Sequence, residues 1–178
     1  FLKEDFTDRF NHGVDVKKHV EKFTGVNVLQ LRKEEVPQLV KHFDEQSQLG
    51  LQNLSPEHLQ SLAGAHNICR FQVSYKWVPL WWLRRCLARR AKFLIEDDKH
   101  LYQEGIQGLT VEELQEAAFL RSINPHLPIS DVKSELNMWV RLSNQALPLT
   151  NNARSLILHS ATPGLYQMKL KEALNMTK

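Results

Sequence analysis

Leu80, Leu83, Leu87, Ala91 and Leu94 follow one another at steps of three and four residues, while Arg84, Arg85, Ala88, Arg89 and Lys92 share the opposite side. Only an α-helix gathers the first set into one apolar stripe and the second into one basic face. Such a helix is stable when its stripe is covered, so the rest of the chain has to supply partners of the same kind.

The same period runs through most of the sequence. Phe6 and Phe10, then Val16, Val20 and Phe23, flank Gly13, which predicts two short helices or one broken helix with both faces turned inward. Val36, Leu39, Val40 and Phe43 share a face, and Pro37 fits only in a first turn, so that helix is expected to start near Glu34. Ser55 and Pro56 read as N-cap and first residue of a helix that buries Leu59 and Leu62. After Asp97 and Asp98 a short helix with Leu101 and Tyr102 is expected to end at Gly105, with Ile106 making the apolar contact that follows a glycine cap. Thr110 and Glu113 form a capping box for the next helix, with Leu114, Ala117 and Ala118 inside. Ser130 is placed to cap a helix burying Val132, Leu136 and Trp139. Leu149, Ala153, Leu156 and Ile157 make another inward stripe, and Thr162 and Pro163 open a last helix with Tyr166, Leu170 and Leu174 on one side. No segment reads as a strand and no repeat of fixed length is present. The expectation is all-α, one helical domain over residues 1–178.

Known chemical motifs are missing. A calcium loop from Asp97 would need oxygen ligands where Lys99 and Leu101 stand, glycine at Tyr102 and glutamate at Gly108. The acid pair reads instead as complementing the positive end of a helix dipole. Gly105 and Gly108 lack the lysine and hydroxyl residue of a phosphate loop. The eight histidines include no His-Glu-x-x-His pair and read as surface or boundary residues. No Gly-x-Ser-x-Gly elbow exists, and the two cysteines, Cys69 and Cys86, have neither disulfide-framework nor metal spacing. No catalytic residue, metal, cofactor or small-molecule substrate is therefore expected. The chain opens on Phe1 and reads as a piece of a longer protein, and any membrane span is expected outside it.

Charge is where the sequence departs from an ordinary helical domain. Net charge is only +3, yet no acid lies between Glu57 and Glu96, a stretch that holds seven cations: Arg70, Lys76, Arg84, Arg85, Arg89, Arg90 and Lys92. Trp77, Trp81 and Trp82 sit beside them as candidate interface aromatics. Lys76, Arg84, Arg85, Arg89, Arg90 and Lys92 are the candidate anion-binding set. Three readings stay open: indoles and cations at an anionic lipid surface, cations on RNA phosphates, or tryptophans in a core corner beside a solvated basic face.

The stretches "LQNLSPEHLQSL", "LRRCLARRAKFLIEDDK", "YQEGIQGLTVEELQEAAFLRSI", "LNMWVRLS" and "ARSLILHSA" resemble the ribosome-binding domain of the LETM family, the leucine-zipper and EF-hand transmembrane proteins of the mitochondrial inner membrane. Leu83, Arg84, Asp97, Asp98, Glu104, Gly105, Leu109, Glu113, Leu114, Arg121, Trp139, Leu156, Leu158 and Ser160 follow the family pattern. Ser122 stands where the pattern has glycine, which puts a left-handed helix end in question there, and His159 widens the last motif by one residue. The "FQVSYKWVPLWW" connection and "FLRSIN" are similar to the smaller LETM-domain-containing branch.

The resemblance implies a 14-3-3-like helical fold facing the mitochondrial matrix, beside an inner-membrane span lying outside this stretch. It also implies the mitochondrial ribosome as partner, through protein or RNA, and a part in inserting mitochondrially made proteins or in ion homeostasis. Two rival readings accompany it. One is a regulatory domain of a potassium or calcium/proton exchanger. The other is a SAP-like nucleic-acid-binding module over residues 109–143, resting on Leu114, Leu136 and Trp139.

Overall fold

The structure, a computed structural model, describes residues 3–25, 41–68, 75–146 and 154–162. The helix expected from Glu34, Cys69 and Arg70, Leu149 and Ala153, the last helix beyond Thr162, and the side chains of Phe6 and Lys76 lie outside the described residues. Within them the fold is all-helical: α1 (Lys3–Thr24), α2 (Pro56–Ala65), a 3-10 turn (Tyr75–Trp77), α3 (Leu80–Glu104), α4 (Val111–Leu120), α5 (Ile129–Ala146) and α6 (Arg154–Ser160).

Several local expectations hold. The Ser55 hydroxyl accepts from the His58 backbone N–H at 3.3 Å, with Pro56 at the first position of α2. The capping box of α4 is complete, Glu113 accepting from the Thr110 N–H at 2.8 Å while the Thr110 hydroxyl accepts from the Glu113 N–H at 3.3 Å. Both Thr110 contacts hold the Glu113 carboxyl below its ordinary range. Gly105 ends α3 at a φ of 77° and Ile106 is buried directly after it.

Three expectations about helix ends are corrected. α1 runs through Gly13 without a break, because a buried face packed on α2 outweighs the roughly 1 kcal/mol that glycine costs in a helix. Its buried stripe is Val16 and Val20, while Phe10 and Phe23 are exposed. α5 begins one residue before Ser130, its first turn anchored by the Pro128 carbonyl, which accepts from Asp131 and Val132 at 2.8 and 3.0 Å. The largest correction concerns Asp97 and Asp98. They do not open a helix but lie inside α3, a single helix of 25 residues and roughly 37 Å.

α3 joins two cores. Its first half, with Leu83, Leu87 and Ala91, packs into a cluster with Val16 and Val20 of α1, Leu59 and Leu62 of α2, and Leu49, Leu51 and Leu54 of the turn-rich segment between them. Its second half, from Leu94, packs with Leu114, Ala118, Leu136, Trp139 and Val140. α6 serves both, Leu156 and Leu158 on one side and Ile157 on the other. Leu114, Leu136 and Trp139, which suggested a nucleic-acid motif, are thus core residues.

Buried polar groups tie the helices at fixed points. Arg121, at the end of α4, is wholly buried and donates from Nε to Asp98 Oδ1 at 2.8 Å, from Nη2 to Asp97 Oδ2 at 2.5 Å and from Nη1 to the Ala117 carbonyl at 2.9 Å. Trp139 of α5 donates from Nε1 to both Asp98 oxygens at 3.1 Å. One carboxylate therefore holds α3, α4 and α5 together. Burial pushes the Asp98 carboxyl above its ordinary value, opposed by the Arg121 charge and by these hydrogen bonds. Arg9 of α1 fastens a second point, donating at 2.7 Å to the Ala65 carbonyl, the Phe119 carbonyl and Ser122 Oγ. Its charge thus sits at the negative ends of α2 and α4.

Ser122 keeps the left-handed helix end that glycine would favour, at a φ of 60°. Its N–H donates to the Phe119 carbonyl and that of Ile123 to the Ala118 carbonyl, while its hydroxyl donates to the Ala161 carbonyl at 2.6 Å and accepts from Arg9. These buried bonds offset the 1–2 kcal/mol, roughly, that a side chain costs in this region. Ser122→Ala, which keeps the strain and loses the bonds, is expected to cost about 2–3 kcal/mol. Ser122→Gly should cost only about 1 kcal/mol, since it also relieves the strain. Urea unfolding of the three chains checks the order serine, glycine, alanine.

The histidines are the other surprise. His58, His66 and His159 are buried rather than at the surface. His159 Nδ1 lies 2.7 Å from the Ser155 carbonyl and so carries the proton, leaving Nε2 to accept from His58 Nε2 at 2.9 Å. His19 stacks on His58 with ring centroids 5.0 Å apart. His66 Nε2 donates to the Leu158 carbonyl at 2.8 Å. Desolvation lowers His58 to about 2, helped by repulsion from His159 and His19. It lowers His66 to about 3, with Arg9 adding to the shift, and His159 to about 4, the Ser155 carbonyl opposing. All three are neutral parts of the core.

Candidate functional site

With one face of α3 fixed against α2, α5 and α6, the other is presented to solvent. Trp81, Arg85, Arg89, Lys92, Glu96 and Lys99 succeed one another at steps of three and four, and all six are exposed. Lys92 meets Glu96 at 3.7 Å in a pair so open to water that it contributes little. Among the described residues neither Arg85 nor Arg89 has a carboxylate within ion-pair distance.

The six candidate cations separate into two kinds. Arg85, Arg89 and Lys92 face solvent together along α3. Arg84 and Arg90 are half-buried and turned toward the protein. Arg84 donates to the Leu54 carbonyl at 3.2 Å. Arg90 reaches the Leu120 carbonyl at 3.5 Å and lies 6.0 Å from the Phe93 ring centroid, with burial and then Arg121 lowering its pKa. Lys76 sits in the 3-10 turn, apart from the stripe. The aromatics divide likewise: Trp82 packs against the first core, whereas Trp77 and Trp81 are exposed.

Lys99 continues the basic stripe, which a helix start at Asp97 would leave out. The signal for it was present, because Leu101 follows Leu94 by two turns and extends the buried row.

No group of three or more His, Cys, Asp or Glu among the described residues is placed to hold a metal ion. Asp97 and Asp98, expected to complement the positive end of a helix dipole, face Arg121 instead. A groove of about 410 Å³ between the end of α3 and α5 is lined by Leu101, Tyr102, Gly105, Asn137, Val140 and Arg141, without an acid or histidine.

Compared with known families, residues 3–163 match the model described as LETM1-like, RBD, the ribosome-binding domain. The chain belongs to this family. No curated protein and no solved structure matches it. Of the residues that carry the resemblance, Leu83, Asp98, Leu114, Arg121, Trp139, Leu156, Leu158 and Ser160 are buried in the scaffold, while Glu104, Gly105 and Glu113 are exposed. The open cations Arg85, Arg89 and Lys92 are not among them and stand on the helix that Asp98 fastens to Arg121 and Trp139.

Proposed function

We propose that the chain is the ribosome-binding module of a LETM1-like protein and that the outward face of α3 is the docking surface, with Arg85, Arg89 and Lys92 as its electrostatic contacts. The observation that carries this reading is three cations on one stripe, two of them without a carboxylate partner among the described residues, on a helix anchored at Asp98. A rigid row of cations spaced about 5–6 Å apart along the axis suits the phosphates of ribosomal RNA. Arg84 and Arg90 support the same field from behind the stripe.

The family resemblance extends the proposal to the mitochondrial ribosome, with the domain on the matrix side of the inner membrane. The role that follows is holding ribosomes where newly made membrane proteins are inserted, with ion homeostasis as a consequence.

Reversing two charges, Arg85→Glu with Arg89→Glu, is expected to lower ribosome co-sedimentation at physiological salt by at least about tenfold while leaving the thermal midpoint unchanged. Unchanged co-sedimentation would place the docking surface elsewhere.

A further inference from the structure

The ribosome reading leaves the tip of α3 unused. Between Lys76 and Arg84 the sequence is Trp-Val-Pro-Leu-Trp-Trp-Leu, seven residues without a charge. Val78, Leu80 and Trp82 pack against the first core cluster, while Trp77, Pro79 and Trp81 alternate with them and face out. Trp77 is 84% exposed and Trp81 66% exposed. Two indoles this open at one end of a helix form an apolar patch of the kind that marks a docking site. Among the described residues no helix is long and apolar enough to cross a bilayer, so a contact made here is interfacial.

Charge identifies what the tip fits. Arg85 stands one turn behind Trp81 and Arg89 a turn further, roughly 6 and 12 Å along the axis. The next acid, Glu96, is roughly 22 Å from Trp81. The first turn of α3 carries no acid and no side-chain cap, so the positive end of the helix dipole adds to the same field. Indole first and guanidinium behind it is the order in which a protein approaching an anionic bilayer meets headgroup interior and phosphate. A base-stacking platform would interleave its aromatics with its cations along a groove, which this tip does not do.

We propose that Trp77 and Trp81 dock the domain on a bilayer surface rich in anionic lipid, with the indoles at headgroup depth and Arg85 on lipid phosphate. The contact is peripheral; its indoles lie outside the ribosome contacts of α3, and Arg85 is the one residue common to both.

The test uses the whole 178-residue chain with vesicles of phosphatidylcholine alone and of phosphatidylcholine with phosphatidylglycerol. Flotation is expected with the anionic vesicles only, with a blue shift of tryptophan emission and weakening by salt. The double variant Trp77→Ala with Trp81→Ala should bind at least about tenfold more weakly. Because both indoles are exposed, its thermal midpoint should match the parent, and its ribosome co-sedimentation should be unchanged. Absence of flotation with anionic vesicles, or equal flotation of parent and double variant, overturns the proposal. A double variant that keeps vesicle binding and loses the ribosome overturns it too and assigns the tip to RNA.

Discussion

Arg121→Ala is expected to lower the free energy of unfolding by about 3–5 kcal/mol, the largest effect of any single substitution considered. The guanidinium is the shared partner of Asp97, Asp98 and the Ala117 carbonyl, and it is fully buried. Removing it leaves the Asp98 carboxylate in the core without a countercharge in contact, held by neutral donors such as the Trp139 N–H. Arg121→Lys should recover little, because an ammonium cannot span two carboxylates and a carbonyl in one plane. Arg121→Met combined with Asp98→Asn removes both charges and should recover much of the loss. A double-mutant cycle by urea unfolding measures the coupling, expected at about 2 kcal/mol or more. Additivity of the two single effects would mean that the ion pair does not fasten α3.

Acid should unfold the domain from the histidine core. The folded values of His58, His66 and His159, at about 2, 3 and 4, lie below the ordinary value of 6.5. As pH falls through 6.5 the unfolded chain binds protons that the folded chain does not, so stability falls with acidification. At pH 5 each site costs about 2 kcal/mol relative to pH 7.5, and the three together about 6 kcal/mol. Asp98 works in the opposite direction, because its carboxyl is pushed up, but it is one site against three. A loss of that size is comparable with the whole stability of many domains. Urea midpoints measured between pH 7.5 and 5 should fall steeply, and His66→Gln should remove about a third of the slope. A flat profile over this range would show that these rings are open to solvent protons in the folded state.

Much of the fold was legible because helix signals are local. Ser55 with Pro56, Thr110 with Glu113, and Gly105 with Ile106 each act within a few residues, and each does in the structure what its chemistry requires. Misread features depended on partners distant in sequence. The Asp97–Asp98 pair looks like a helix start until Arg121, 23 residues beyond Asp98, is brought against it. His58 and His159 meet across 101 residues, and nothing near either one signals the contact. The basic segment was visible as composition, but its division was not. Whether one of two consecutive arginines, about 100° apart around the helix, faces water or the Leu54 carbonyl depends on what lies beneath the helix, and so Arg84 and Arg85 part ways.

If the open cations of α3 hold the ribosome through phosphate, binding must weaken with salt in proportion to the phosphates they neutralise. Ribosome affinity measured across a series of salt concentrations should fall with a log–log slope of about −2 to −3, as about three phosphate contacts require. For Arg85→Gln with Arg89→Gln and Lys92→Gln, the slope should approach zero along with a loss of affinity. A triple variant that keeps the parent's slope and affinity would mean that these cations do not hold the ribosome.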